Sequence, residues 1–454
     1  MGRLFGTDGV RGIANKELTG ELAYNLGIAG GYVLGKTVKG HRPQVLIGRD
    51  TRISGDMLED ALSAGLLAMG CDVSRLGIIP TPGIACLTKR LGATAGIVIS
   101  ASHNTFEYNG IKFFNSQGFK LEDAIEDEID EIVRTGRDVN SHITGALVGR
   151  TLEKSEGAMR DYVDFLTAGF MKQKSGFAGL KVVVDCANGA AYRSAKMVFE
   201  KLGVQAVYMG AQPDGANIND GCGSTHPERM QRRVVKEGAD AGLAFDGDAD
   251  RLIAADEKGG LIDGDKLMFL CAKSLKRRGL LEKNLLIATV MSNAGLAEAV
   301  AREDIDMMRA DVGDRYVLEM MQRTGSVLGG EQSGHIIFLR ENTTGDGAFA
   351  ALRFLSALIA SGKRASELSS EVTIYPQVLR NAAVKNENKY NFDKDEKIAA
   401  AIAAAESKLN GKGRILVRPS GTEPLVRVMF EGEDLKKLDQ LAERLTRLIE
   451  DRLR

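Results

Sequence analysis

The sequence predicts an α/β protein of several domains. Two features carry that expectation: a strand–turn–helix–strand plan that recurs three times, and a C-terminal part that follows a different plan. The 454-residue length agrees, being about three times that of one ordinary core. The first repeat opens at Val45-Leu46-Ile47, turns through Gly48-Arg49-Asp50-Thr51, and continues as a helix marked by Leu58, Ala61, Leu62 and Gly65 to Cys71-Asp72-Val73. The second reads Val182-Val183-Val184-Asp185, Asn188-Gly189, a helix to Leu202, then Gly203-Val204. The third reads Leu285-Leu286-Ile287-Ala288, Ser292-Asn293-Ala294-Gly295, and a helix to Arg302. Strand alternating with helix at this length is the βαβ pattern, so three related α/β domains are expected. Beyond Ser370 come an alanine-rich helix over 397–409 stopped by Asn410-Gly411, two strands over 414–418 and 425–431, and a helix over 435–448. They describe a smaller α+β domain. The divisions are placed at 1–155, 156–257, 258–370 and 371–454.

Composition narrows the function classes. Apolar residues make up 44%, charged residues 27%, and the net charge is −1, which gives no basic surface for nucleic acid. No apolar run approaches the roughly 18 uncharged residues of a membrane span. Residues 1–12 carry charges and glycines where a signal peptide has its apolar stretch, so a cytoplasmic protein without a membrane partner is expected. The five cysteines are odd in number, scattered and never in a C-x-x-C arrangement, which reads as free thiols.

The sharpest local signal is Asp246-Gly247-Asp248-Ala249-Asp250-Arg251, set between the apolar runs 241–245 and 252–255. Three carboxylates so close repel unless a cation neutralises them, and an all-oxygen set selects a hard ion, Mg²⁺ foremost. An EF-hand loop is the rival metal reading, because Glu257 falls at its twelfth position. Arg251 stands where that loop needs Gly, and the flanks read as strands. A solvated acidic turn is the reading without metal.

A second strand, Ile97-Val98-Ile99, runs into Ser100-Ala101-Ser102-His103-Asn104. Alone, this loop reads equally as a turn or as the seat of a nucleophile. It lacks the G-x-S-x-G elbow of triad hydrolases. The run 108–114, Tyr-Asn-Gly-Ile-Lys-Phe-Phe, places Lys112 in an apolar strand, where it is either a phosphate-side proton carrier, if its pKa is lowered, or a snorkelling edge lysine. The loop 418–424 reads Arg-Pro-Ser-Gly-Thr-Glu-Pro, and Arg427 is spaced to return to it. Guanidiniums, hydroxyls and a Gly suit a phosphate, with a plain hairpin as the alternative. Gly330-Glu331-Gln332-Ser333-Gly334-His335 offers a carboxylate and a hydroxyl for sugar hydroxyls and an imidazole for a proton, or is an ordinary turn. The opening FGTDGVRG at 5–12 has Arg11 as its only cation. No G-x-G-x-x-G or Walker spacing occurs at these loops, so a nucleotide is not the expected ligand.

Taken in order, FGTDGVRG at 5–12, ISASHN at 99–104, YNGIKFF at 108–114, DGDADR at 246–251, GEQSGH at 330–335 and RPSGTEP at 418–424 closely resemble the α-D-phosphohexomutase superfamily, and within it the bacterial phosphoglucosamine mutases. The resemblance covers essentially the whole chain. It implies three α/β domains of mixed sheets with helices on the faces, plus a C-terminal α+β domain, around a central cleft. The four divisions would carry in turn the phosphoserine, metal-binding, sugar-binding and phosphate-binding loops. It also implies that Ser102 carries a phosphate whose oxygen joins Asp246, Asp248 and Asp250 in a Mg²⁺ site.

The implied reaction interconverts glucosamine 6-phosphate and glucosamine 1-phosphate through a 1,6-bisphosphate, with a hexose 1,6-bisphosphate as activator. It would supply UDP-N-acetylglucosamine synthesis for the cell envelope. Lys112, Arg11 and His335 would handle protons. Thr7, His103, Arg251, Glu331 and Ser333 would contact the substrate, while Arg418, Ser420, Gly421, Thr422 and Arg427 would hold the phosphate that is not reacting. A homodimer is the assembly considered. The alternatives are a phosphoglucomutase or phosphomannomutase, a silent sugar-phosphate-binding protein, which should have lost Ser102 or an aspartate, and a metal-dependent phosphatase, which needs only one phosphate site.

Overall fold

Strands buried on both faces form the centre of each α/β layer and read as near-continuous apolar runs. In this computed structural model, which describes residues 3–6, 8–36, 38–139, 143–409, 413–420 and 423–454, six strands make the first sheet, with the buried β4 at its centre and the exposed β6 at one edge. They are β1 (Val10–Ile13), β2 (Gln44–Arg49), β3 (Asp72–Ile78), β4 (Ala95–Ile99), β5 (Tyr108–Asn115) and β6 (Thr151–Glu153), in the order β1-β5-β4-β2-β3-β6. Strands β4, β2, β3 and β6 run parallel, β5 is antiparallel to β4, and β1 pairs antiparallel with β5 and so regains the direction of β4. Helices Gly20–Gly35, Gly55–Ala68 and Asp123–Thr135 cover the sheet, and Leu26, Leu62, Ile97, Phe113 and Ile129 lie in their shared core. Thr19 caps the first of these helices by accepting the Leu22 N–H.

The second sheet contains β7 (Lys181–Asp185), β8 (Gln205–Met209), β9 (Ala241–Phe245), β10 (Leu252–Asp256) and β11 (Leu261–Ile262), ordered β11-β10-β9-β7-β8. The third has β12 (Leu285–Thr289), β13 (Asp306–Ala310), β14 (Leu328–Gly330) and β15 (Ile336–Phe338), ordered β13-β12-β14-β15. Both are mixed, parallel at the centre and closed on one side by antiparallel strands. The fourth is antiparallel throughout: β16 (Gln377–Ala383), β17 (Gly413–Pro419) and β18 (Leu425–Gly432) in the order β16-β18-β17. Its apolar face, with Val426, Val428 and Phe430, packs on Leu445 and Ile449 of the helix Leu435–Leu453.

The strands and helices of all three expected repeats are present. The alanine-rich helix is Glu396–Leu409, and its expected stop at Asn410-Gly411 lies outside the described residues. One strand, β16, is additional to the two foreseen in the C-terminal part. Its sequence, Gln-Val-Leu-Arg-Asn-Ala-Ala, lacks the alternation of a half-buried strand because its exposed positions include Leu379 and Ala383.

By contact density the chain divides into two units, Met1–Thr289 with Glu303–Glu371, and Val290–Arg302 with Val372–Arg454. The helix Ala294–Arg302 of the third repeat thus groups with the C-terminal sheet. There the Ala294 N–H donates to Glu431 at 2.9 Å and the Asn293 side chain donates to the Tyr375 carbonyl at 2.9 Å. In the larger unit the loops that follow β4, β9 and β14 leave the carboxyl ends of strands, the usual place for ligands in α/β sheets. No helix among the described residues is long and apolar enough to cross a membrane. All five cysteines are free and buried.

Candidate active site

The turn after β9 places Asp246, Asp248 and Asp250 so that one oxygen from each lies within 4.8 Å of the others, and all are buried. Among the described residues this is the one cluster of acidic, His or Cys groups arranged for a metal. Each carboxylate has at least one oxygen held by a neighbour. Asp248 Oδ2 accepts from Thr81 Oγ1 at 2.8 Å and from Lys112 Nζ at 3.1 Å. Asp246 Oδ1 accepts the Arg251 N–H at 3.1 Å, and Asp250 Oδ2 faces His335 Nδ1 at 3.4 Å. Asp248 Oδ1 and Asp250 Oδ1 are buried without a hydrogen-bond partner among the described residues. Burial, followed by repulsion from Asp250 and Asp248, pushes Asp246 well above the usual carboxylate range. Orphaned oxygens beside a carboxylate that resists ionising are what a hard cation would satisfy, with the outer contacts already orienting the ligands. The flanking strands and Arg251 exclude an EF-hand loop, and Glu257 binds Ser366 instead.

Ser102, only 2% exposed, donates from Oγ to Asp246 Oδ2 at 2.7 Å and lies 3.3 Å from His103 Nδ1. Its backbone is left-handed, with φ +51°, which is uncommon for a non-glycine residue and here aims the hydroxyl at the aspartate loop. The two loops pack so closely that a Cβ on Gly247 would come within 2.5 Å of the Ser102 carbonyl oxygen. Burial, then the charges of Arg251 and Arg11, lower His103 to about 4, so its ring is neutral.

Lys112 is no edge lysine. Strand β5 is flanked by β1 and β4, and the side chain is 2% exposed. Burial works against its charge, but Asp248 and Asp8 outweigh it and raise its pKa, so the expected lowering is absent and Lys112 stands as a fixed cation. Asp8 joins three cations: it pairs with Arg11, lies 3.0 Å from Lys112 and is 2.7 Å from Lys120. Lys120 continues to Asp314 at 2.7 Å, which is 3.7 Å from His335 Nε2. Arg11, Asp8, Lys112, Lys120 and Asp314 thus form one chain of alternating charges that ends beside the His335 ring.

Burial opposes charge on His335, yet Asp250, Asp314 and Glu331 lift it to about 9. The Gly345 N–H pulls the other way by donating to Nε2 at 3.0 Å, which a proton there would confront. These hydrogen bonds fit the neutral ring with its proton on Nδ1, facing Asp250.

The turn between β14 and β15 carries Glu331, whose Oε1 accepts the Gly313 N–H at 3.1 Å, and the exposed Ser333. It is stitched to the aspartate loop through the pairing of Arg251 with His335. In the smaller unit, Arg418 on β17 and Arg427 on β18 face one another in register. Arg427 also binds Glu423 at 2.9 Å, and Ser420 stands at the end of the same hairpin. Thr7, Gly421 and Thr422 lie outside the described residues.

Sequence reasoning missed Asp8, Thr81, Lys120 and Asp314, and also Arg52 and Asn219, which bind the Ser102 loop. Asp8 was within reach, since it sits inside the FGTDGVRG motif. The others lie in segments whose local pattern carries no functional signal.

The chain matches all four family domains described as phosphoglucomutase/phosphomannomutase: domain I over 2–140, domain II over 160–260, domain III over 263–375 and the C-terminal domain over 379–448. It is 54% identical over 453 residues to the phosphoglucosamine mutase of Alkaliphilus metalliredigens, covering 100% of both chains. Its fold matches a phosphoglucomutase/phosphomannomutase family protein of Burkholderia thailandensis with a TM-score of 0.79 at 24% identity, covering 99% and 97% of the two chains. It also matches an N-acetylphosphoglucosamine mutase of Aspergillus fumigatus, solved with GlcNAc-6P and magnesium, with a TM-score of 0.70 at 18% identity, covering 99% and 95%. Whole-length identity of this order, with every family domain matched, means that the chain belongs to the phosphoglucosamine mutases, isomerases of the phosphoglucomutase/phosphomannomutase family.

Proposed function

We propose that the protein interconverts glucosamine 6-phosphate and glucosamine 1-phosphate, with Ser102 as phosphate carrier and a 1,6-bisphosphate as intermediate, and that it serves cytoplasmic amino-sugar nucleotide synthesis. The observation that carries this reading is the Ser102 Oγ–Asp246 contact of 2.7 Å beside the open oxygens of Asp248 and Asp250. A nucleophile or leaving group thus sits at the edge of an all-oxygen cation site. The donor set fits Mg²⁺, and the Aspergillus relative was solved with magnesium. When bound, the ion neutralises charge on the transferring phosphoryl group.

The chain's own residues supply positioning. A sugar hydroxyl attacks phosphorus, the bond from phosphorus to Ser102 Oγ breaks, and Oγ leaves with the electron pair. The hydroxyl proton passes to a base and Oγ receives one from an acid; of the three expected proton handlers His335 is the one that can change protonation state, while Lys112 and Arg11 stay charged and steady the phosphoryl oxygens. The reverse transfer from the turned-around bisphosphate restores phosphoserine. Glu331 and Ser333 read sugar hydroxyls, and Thr7, His103 and Arg251 contact the reacting end, with neutral His103 acting as a hydrogen-bond group. Arg418, Ser420, Gly421, Thr422 and Arg427 grip the other phosphate. Two arginines directly opposed on neighbouring strands offer paired guanidiniums on one face, an arrangement that supports an anion as their ligand.

The test is an assay with Mg²⁺ and a trace of hexose 1,6-bisphosphate on glucosamine 6-phosphate, glucose 1-phosphate and mannose 1-phosphate. Glucosamine phosphate is expected to react fastest, and Ser102→Ala to be nearly inactive. Equal rates on glucose phosphate would overturn the specificity, and an active Ser102→Ala protein the mechanism.

A further inference from the structure

Arg52 is 0% exposed, and its guanidinium is spent almost entirely on the backbone of one loop. Its Nη2 donates to the carbonyls of Ser102 at 3.0 Å and Asn104 at 2.8 Å, and its Nη1 to those of Thr105 and of Tyr108, the latter at 2.9 Å. Nε binds Asp50 at 2.9 Å, and Asp50 in turn accepts from Ser100 Oγ at 2.5 Å. Ser100 Oγ then accepts the Ser102 N–H at 2.9 Å. The peptide groups on both sides of Ser102 are therefore held from the β2 side.

A second donor reaches the same carbonyls from another domain. Asn219, 4% exposed and following β8, donates from Nδ2 to Ser102 O and to Asn104 O, both at 2.9 Å. Its orientation is decided by chemistry, because a flipped amide would set its oxygen against two carbonyl oxygens. Asn219 itself is anchored by donating its N–H to Ala187 O at 2.9 Å. Beside it, Gly247 of the aspartate loop closes on the Ser102 carbonyl.

We infer that Arg52 and Asn219 are positioning residues. Together they grip the Ser102 and Asn104 carbonyls from two domains, hold Ser102 in its left-handed conformation and so align Oγ with the aspartate loop. A buried fork that satisfies four carbonyls is more than a turn needs, and a left-handed serine persists only where its surroundings over-determine it. Asn219 adds what Arg52 cannot, since it ties the nucleophile loop to the sheet that carries the aspartates. This rests on Ser102 being the phosphate carrier.

The test compares Asn219→Gly, Arg52→Lys and Ser102→Ala with the parent, all as full chains with Mg²⁺. Glycine keeps the left-handed backbone of Asn219, φ +59°, and removes only the amide. Lysine keeps the buried charge of Arg52 but not the fork. The expected result for Asn219→Gly is a kcat lowered by about 100-fold, as for about 1 Å of misplacement. KM for the sugar phosphate should stay within about threefold, and phosphoserine should lose phosphate to water faster relative to transfer. Arg52→Lys should show the same split. A parental kcat in Asn219→Gly with only a lower Tm would overturn the inference, because the grip would then be purely structural. An active Ser102→Ala protein would instead overturn the reading of Ser102 itself.

Discussion

Lys112 Nζ lies 3.0 Å from Asp8 and 3.1 Å from Asp248, so a buried lysine on β5 ties the N-terminal loop to the aspartate loop. Removing one partner of a buried pair leaves an uncompensated charge. Lys112→Met is therefore expected to destabilise the metal-free protein by about 3 to 5 kcal/mol. Mg²⁺ should restore part of that by engaging Asp248. Urea unfolding with and without Mg²⁺ measures both, and an unchanged midpoint in the metal-free variant would contradict the geometry.

The aspartate site predicts a pH dependence of metal binding. Burial and two neighbouring carboxylates raise Asp246 well above its ordinary range, so the metal-free protein tends to hold a proton there that a cation must displace. Affinity for Mg²⁺ should rise with pH, with up to about one proton released per ion. Calorimetry in buffers of different ionisation enthalpy reads the released proton. Asp248→Asn should weaken Mg²⁺ binding at every pH.

Glu126, on the helix Asp123–Thr135, offers a stability test away from the site. Burial, opposed by Arg3 and reinforced by Asp123, raises its pKa from 4.5 to about 7. An acid raised on folding favours the native state fully below about 4.3, and that contribution is lost as pH rises towards 7. Glu126→Gln should therefore raise Tm relative to the parent at pH 8 and lose that advantage by about pH 4.5. Arg3 keeps Asp123 and Asp127 as partners in the variant, so little else is lost.

The facing arginines of the smaller unit predict a loss of binding at little cost in stability. Arg427→Leu removes a like-charge neighbour across β17 and β18 together with the surface ion pair to Glu423, so the hairpin's stability should change by no more than a few tenths of a kcal/mol. Loss of a charge-assisted phosphate contact worth about 1.5 to 3 kcal/mol should raise KM for the sugar phosphate by about 10- to 100-fold. Steady-state kinetics beside a thermal melt checks both, and a KM unchanged within error would remove Arg427 from the phosphate grip.

Local order was legible because it is written locally. Apolar runs at β2, β7 and β12 and the helices after them follow from periodicity, and the edge strand β16 escaped because apolar Leu379 and Ala383 occupy exposed positions and blur its alternation. Three aspartates within five residues announce a cation through their mutual repulsion alone. Ser102 stood out only beside its companion motifs, since an isolated loop serine has no signature.

What the sequence by itself determined was therefore the fold class, the acidic cluster at 246–250 and, through the order of its motifs, the family. The tertiary structure alone decided that Lys112 is a fixed cation rather than a lowered one, that Asp8, Lys120 and Asp314 link it to His335, and that Arg52 and Asn219 hold the Ser102 loop. The physical reason is distance along the chain. A pKa and a hydrogen-bond partner depend on groups that folding brings within a few ångströms from far-removed segments, whereas strand period and carboxylate repulsion act between neighbours already adjacent in sequence.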